Sequence, residues 1–152
     1  MLSRRNFLAA AAITATGPAL LVRPAYAMKS KIFTKDGVAI RGIDPVAYFT
    51  VGAPTKGDAA HSSDWGGATW QFASAENKAM FDADPEAFAP KYGGYCAYAV
   101  SKGSTAPTDP EAWTIYEDRL YLNFSTTVRT IWSEDIPGNV KKADDNWPGV
   151  LA

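Results

Sequence analysis

Turn and helix-start signals constrain this chain more than any other feature. Asp36-Gly37, Asp44-Pro45, Gly66-Gly67, Asp84-Pro85, Gly93-Gly94 and Pro137-Gly138 punctuate it throughout, so the elements between them must be short. Asp36-Gly37 joins Ile32-Phe33-Thr34 to Val38-Ala39-Ile40 as a tight hairpin. Asp44 suits a helix cap and Pro45 a first helical position, so Val46-Ala47-Tyr48-Phe49 reads as a short helix that stops near Gly52. Ala53 to Asp58 is a polar loop. Ser62-Ser63-Asp64-Trp65 and Ala68-Thr69-Trp70-Gln71-Phe72 flank the paired glycines as a second hairpin.

Ser74 caps a helix carrying Met80 and Phe81, and Asp84-Pro85 starts another with Phe88 facing inward. Tyr95 to Val100 is apolar and fits either class. Ser101 to Pro110 is a loop. Trp113-Thr114-Ile115-Tyr116 and Arg119-Leu120-Tyr121-Leu122-Asn123-Phe124 form a third hairpin around Glu117-Asp118. Ser125 caps a helix with Val128, Ile131 and Trp132 at helical spacing. Pro137-Gly138 breaks it, and Asn139 to Trp147 is a terminal helix or a loosely docked tail. The fold class is α+β: one small domain of short antiparallel β-hairpins with helices packed on one side. A strand running into a serine-capped helix occurs twice, at Trp70 to Ser74 and Tyr121 to Ser125. This is either a weak internal repeat or common strand-to-helix chemistry, and with no longer repeat visible the second is favoured.

The first 27 residues are of another kind. Ser3-Arg4-Arg5-Asn6-Phe7-Leu8 precedes an apolar, alanine-rich run, and Ala25-Tyr26-Ala27 supplies small residues at a cleavage point. This is the layout of a twin-arginine export signal, 1–27, which carries proteins already folded. The run from Phe7 to Val22 is shorter than the ~20 residues a spanning helix needs. The expected product starts at Met28, is soluble and works in the periplasm.

That product, 28–152, has 125 residues, enough for one domain with a real core. Removing Arg4, Arg5 and Arg23 takes 15 basic residues to 12 against 16 acidic ones, a charge of −4. This argues against nucleic acid and anionic membrane surfaces as partners. Cys96 is the only cysteine, so an intrachain disulfide is excluded.

Asp44-Pro45-Val46-Ala47-Tyr48-Phe49, Gly67 to Asn77, Phe81, Asp84-Pro85 and Tyr92-Gly93-Gly94-Tyr95-Cys96-Ala97 together resemble a YHS domain. The match covers about 44–103, with a C-terminal hairpin and helix as an extension similar to longer exported bacterial members. The resemblance implies a small YHS/TRASH-like α+β unit associated with metal handling, copper especially. The chain departs from the family's metal pattern at Ala47, Ala73 and Asn77, where ligand side chains are expected. Alanine has no donor atom and a neutral amide is a poor ligand for a soft metal, so that site does not transfer.

Cys96 remains the first chemical candidate, just after the paired glycines, as a soft-metal ligand, a redox thiol or a nucleophile; buried and inert is the alternative. His61, the single histidine, and one of Met28 or Met80 complete a candidate copper set with it, an exposed loop or edge-strand position being the alternative for His61. Met80 also suits a core position. Tyr48, Tyr92 and Tyr95 are candidates to border a small ligand pocket or to be core. The paired acids Glu134-Asp135 and Asp144-Asp145 read as solvated surface. The expected function is an exported binding protein of YHS type that holds a metal or small ligand near Cys96, more in keeping with a non-enzyme. A thiol-dependent redox protein or small enzyme, and a protein-interaction module, are the alternatives.

Overall fold

The computed structural model describes Gly17 and residues 27–152. Apart from Gly17 and Ala27, the expected export signal 1–27 lies outside the described residues. The chain forms β1 (Thr34–Lys35), β2 (Val38–Ala39), α1 (Ala47–Thr50), β3 (Asp58–Trp65), β4 (Ala68–Phe72), α2 (Ala75–Ala83), α3 (Pro85–Phe88) and α4 (Ala97–Ser101). Then follow β5 (Trp113–Tyr116), β6 (Arg119–Leu122), α5 (Thr126–Ser133) and α6 (Ile136–Asn146). One sheet has the order β1-β2-β4-β3, and β5-β6 pair separately. The pairings are antiparallel except β2 with β4, where Val38 meets Thr69 in parallel. This is the expected α+β class.

Two local readings change and two open ones are decided. β3 starts at Asp58, so His61 lies within the strand, at a register shift between Asp58 and Ser62. The extra residues of that bulge hid the strand's first half from a period-two reading. Tyr95 to Val100 resolves into a capped helix. Pro137-Gly138 sits in the first turn of α6 and breaks nothing, because proline is tolerated where the amide has no helical partner. The break falls at Glu134-Asp135, where Asp135 caps α6 by accepting the Gly138 N–H at 3.0 Å. α6 is docked, with Ala143 fully buried.

The larger correction concerns the repeat. Residues 40–83 and 92–133 are two versions of one unit. Each opens on three consecutive residues in the left-handed region: Ile40, Arg41 and Gly42 at φ 41°, 61° and 78°, and Tyr92, Gly93 and Gly94 at 59°, 62° and 85°. Ile43 and Tyr95 then return to extended backbone. Asp44 and Cys96 follow, and each side chain accepts N–H groups from the short helix behind it, α1 or α4. Each helix leads to a hairpin whose two central residues both have positive φ, Gly66-Gly67 at 63° and 82° and Glu117-Asp118 at 48° and 60°. That is the turn type whose twist matches the strands. Each hairpin ends on a serine cap, Ser74 Oγ accepting from Asn77 N and Ser125 Oγ from Val128 N, both at 3.1 Å. Apart from the shared serine caps, side chains at matched places differ, and the likeness lies mainly in the backbone angles.

β6 divides the interior between the units. Successive side chains of a strand point to opposite faces. Leu120 and Leu122 join the core built on Trp70, Phe72, Phe81 and Tyr48. Tyr121 joins the second, with Tyr92, Trp132 and Ala143. Trp70 and Phe81, with ring centroids 5.2 Å apart, and Tyr121 and Trp132, at 5.4 Å, are the matched aromatic pairs of the two units. Burial of each such ring contributes on the order of 2–3 kcal/mol.

Candidate functional site

Two buried polar nodes stand at the matched positions. In the first unit Asp44 is fully buried. Its Oδ1 accepts the amides of Val46 at 2.8 Å and Ala47 at 3.3 Å, and its Oδ2 accepts Ala73 N–H and Asn77 Nδ2–H, both at 2.8 Å. Ala47, Ala73 and Asn77 therefore converge on one point. They are the three places at which the YHS resemblance puts ligand side chains, and here all three donate to a carboxyl group. The Asp44 oxygens are spent on these four donors, and Ala47 and Ala73 add no ligand atom beside them.

In the second unit Cys96 is 1% exposed. Its Sγ accepts the amides of Phe124 at 3.2 Å and Ala99 at 3.5 Å, and the thiol donates to Asn123 Oδ1 at 3.5 Å. Asn123 Oδ1 also accepts the Tyr98 amide at 3.0 Å. Phe124 in this node matches Ala73 in the other. The sulfur thus does what the Asp44 carboxyl does: it caps a short helix and ties it to the end of a hairpin. Among the described residues no group of three or more His, Cys, Asp or Glu side chains is placed to hold a metal.

The candidate copper ligands are not brought together. Cys96 caps α4, which packs on α5, α6 and the turn 91–94. His61 lies half-buried on β3, and Met80 is 41% exposed on α2, which packs on β3. Neither hydrogen-bonds to the thiol. Met80 is not core either, since Phe81 takes the inward position beside it. Copper does not fit this donor set: the sulfur is sealed and the other two side chains sit on a different packed layer.

The three candidate tyrosines separate. Tyr48 is 2% exposed, donates to the Pro110 carbonyl at 2.8 Å and packs on Trp113. Tyr95 donates to the Ser30 carbonyl at 2.8 Å and packs between Phe33 and Trp147. Both hold the fold. Tyr92 alone of the three lines a cleft of about 650 Å³ at the seam of the two units, within the size range of small-ligand sites. Its hydroxyl donates to Asp144 Oδ1 at 2.9 Å, and its ring meets Trp147 edge-on at 5.9 Å. Burial first, then the Asp144 bond, pushes the phenol well above its ordinary value, so it stays a donor.

Ile32, Ala89 and Trp65 supply the cleft's apolar side from the first core; Trp147 and Tyr92 supply the other. Lys91 reaches Asp144 at 3.1 Å. Arg119, the first residue of β6, also lines the cleft. Its Nε is buried with no acceptor among the described residues. Neither Arg119 nor Asn123 was singled out from the sequence. Asn123 had a usable signal, a polar residue inside the apolar run Tyr121 to Phe124. Arg119 had none, because a cation after a hairpin turn reads as solvated surface. No family model, no curated protein and no solved structure matches the chain.

Proposed function

We propose that this chain is an exported, non-catalytic binding protein of YHS type, which holds a small ligand in the cleft beside Tyr92 rather than at the thiol. One observation carries the reading: a cleft of about 650 Å³ has a wall braced by the Tyr92–Asp144 hydrogen bond, while the single sulfur is spent on backbone amides. Aromatic walls with placed polar groups are the ordinary make-up of a small-ligand site, and here Trp65, Tyr92 and Trp147 stand beside the charged Lys31, Glu86, Lys91, Arg119 and Asp144. The Arg-Arg signal and the net acidic product support action in the periplasm without nucleic acid or membrane as partner. A thiol enzyme is less supported, since a nucleophilic cysteine needs an exposed, electropositive setting, and Cys96 has neither exposure nor a cationic neighbour among its hydrogen-bond partners.

The test is a thermal-shift screen of the purified protein against small organic anions, neutral compounds, cations and Cu(I). The expected result is stabilisation by at least one organic class, lost in Trp147→Ala and retained in Cys96→Ser. Stabilisation by Cu(I) that disappears in Cys96→Ser, with no organic compound active, sinks the proposal in favour of the metal reading.

A further inference from the structure

The cleft's charges are unevenly matched. Lys91 is paired with Asp144. Lys31 and Glu86 stand exposed at the rim, where water screens them. Arg119 is half-buried, forms no ion pair among the described residues, and keeps its Nε buried without an acceptor. The matched place in the first unit, directly after the hairpin turn, is the buried Ala68. The fold therefore does not require a guanidinium there. What Arg119 has free is its ion-pairing capacity: of the cleft's two carboxylates, Asp144 is taken by Lys91 and Glu86 stands at the exposed rim.

Resting on the cleft reading above, we propose that the ligand is a small organic carboxylate with an apolar, ring-sized body, its carboxylate received by Arg119 and its body lying between Trp65 and Trp147. A planar guanidinium matches a carboxylate through two parallel N–H donors. The apolar surfaces of Ile32, Ala89, Trp65 and Trp147 fit a ring. With Lys91 paired to Asp144 and Lys31 and Glu86 screened at the rim, one unmatched cation remains, which suits a monoanion.

Phenylacetate, phenylacetamide, phenethylamine and acetate separate charge from ring. Binding is read by calorimetry and by tryptophan fluorescence on the purified protein. Saturable one-to-one binding of phenylacetate is expected, about tenfold or more tighter than phenylacetamide. Acetate and phenethylamine are expected to fail, and phenylacetate binding to weaken with added salt. Arg119→Met should abolish the preference for the acid over the amide, with Arg119→Lys restoring part of it. If Arg119→Met does not fold, the acid-to-amide ratio of the unaltered protein decides. Equal or tighter binding of the amide or the amine overturns the carboxylate assignment while the cleft reading stands. Failure of phenylacetate where other organic compounds shift the melting temperature does the same. If no organic compound of any charge binds or stabilises, both proposals fall.

Discussion

Asp44 and Cys96 occupy one place in two copies of a unit and hold it with different chemistry. The Asp44 carboxyl gathers four donors, three backbone amides and the Asn77 side chain. The Cys96 sulfur gathers two amides at longer range and leans on Asn123, which takes the Tyr98 amide in its stead. Asn123 Nδ2 is left buried without a partner among the described residues. One node is fully satisfied and the other is not. The same backbone design can thus be closed by a single strong acceptor or by two weaker ones, and the weaker closure leaves a polar atom over. The lesson for Cys96 is that its position is architectural in origin, since the first unit needs an acceptor there and has no thiol.

The left-handed stretches offer the sharpest way to break the equivalence. Arg41 and Gly93 are both second in their triplets, at φ 61° and 62°. Arg41 carries a side chain there, stacked over Phe33 at 5.6 Å. A Cβ on Gly93 would lie 1.7 Å from the Lys31 carbonyl oxygen. Gly93→Ala should therefore cost on the order of 4 kcal/mol or prevent folding, whereas Arg41→Ala costs about 1 kcal/mol. Denaturant titration of the two variants checks this, and similar losses would remove the distinction.

Next in size is thiol protection. Cys96 should react with a disulfide reagent about a thousandfold more slowly in the native protein than in denaturant, because access requires opening of the α4 cap. Fast modification without unfolding would return the sulfur to the list of reactive groups. The two nodes should also differ in stability. Asp44→Ala leaves four donors unpaired and should cost about 3–5 kcal/mol, and Cys96→Ala about 1–2 kcal/mol. Equal costs by denaturant titration would show the nodes to be equivalent after all.

Tyr48 and Tyr92 bring one phenol from each half under the same alkaline test. Burial raises both above the ordinary value, with Glu111 adding to it at Tyr48 and Asp144 at Tyr92. The native state therefore holds their protons more tightly than the unfolded chain. That contribution is complete below the unfolded value of about 10 and is lost as pH rises past it. Stability measured from pH 9 to 12 should fall, and Tyr92→Phe should flatten the decline. An unchanged slope would place the alkaline sensitivity elsewhere. The smallest expected effect lies in the turns. Gly66-Gly67 adopts positive φ freely, but Glu117-Asp118 does so against its side chains. Replacing Glu117-Asp118 with Asn-Gly should stabilise the protein by about 0.5–1 kcal/mol, read as a rise in melting temperature.

Most of the element order was legible because local chemistry announces it. Ser74 and Ser125 cap helices wherever the chain goes next, and a Gly-Gly or an acidic pair between alternating runs turns a hairpin. Of the repeat, only the strand-to-serine-cap end was legible. The rest is a run of backbone angles and two capping acceptors, and nothing in the letters Ile-Arg-Gly and Tyr-Gly-Gly marks them as equivalent. The tyrosines show the same division. Tyr48, Tyr92 and Tyr95 look alike in sequence, yet their hydroxyls end on the Pro110 carbonyl, Asp144 and the Ser30 carbonyl.

The amino-acid order by itself determined the short hairpins, the capped helices, the absence of any cysteine pair and the lack of strong metal-ligating side chains at Ala47, Ala73 and Asn77. These depend on residue type and near neighbours alone. Tertiary structure decided that those three positions meet at Asp44, that Cys96 faces amides rather than His61 or Met80, and that Arg119 lines a cleft between two cores. Each of those outcomes joins residues distant along the chain, and only packing chooses which distant groups come within reach of a hydrogen bond.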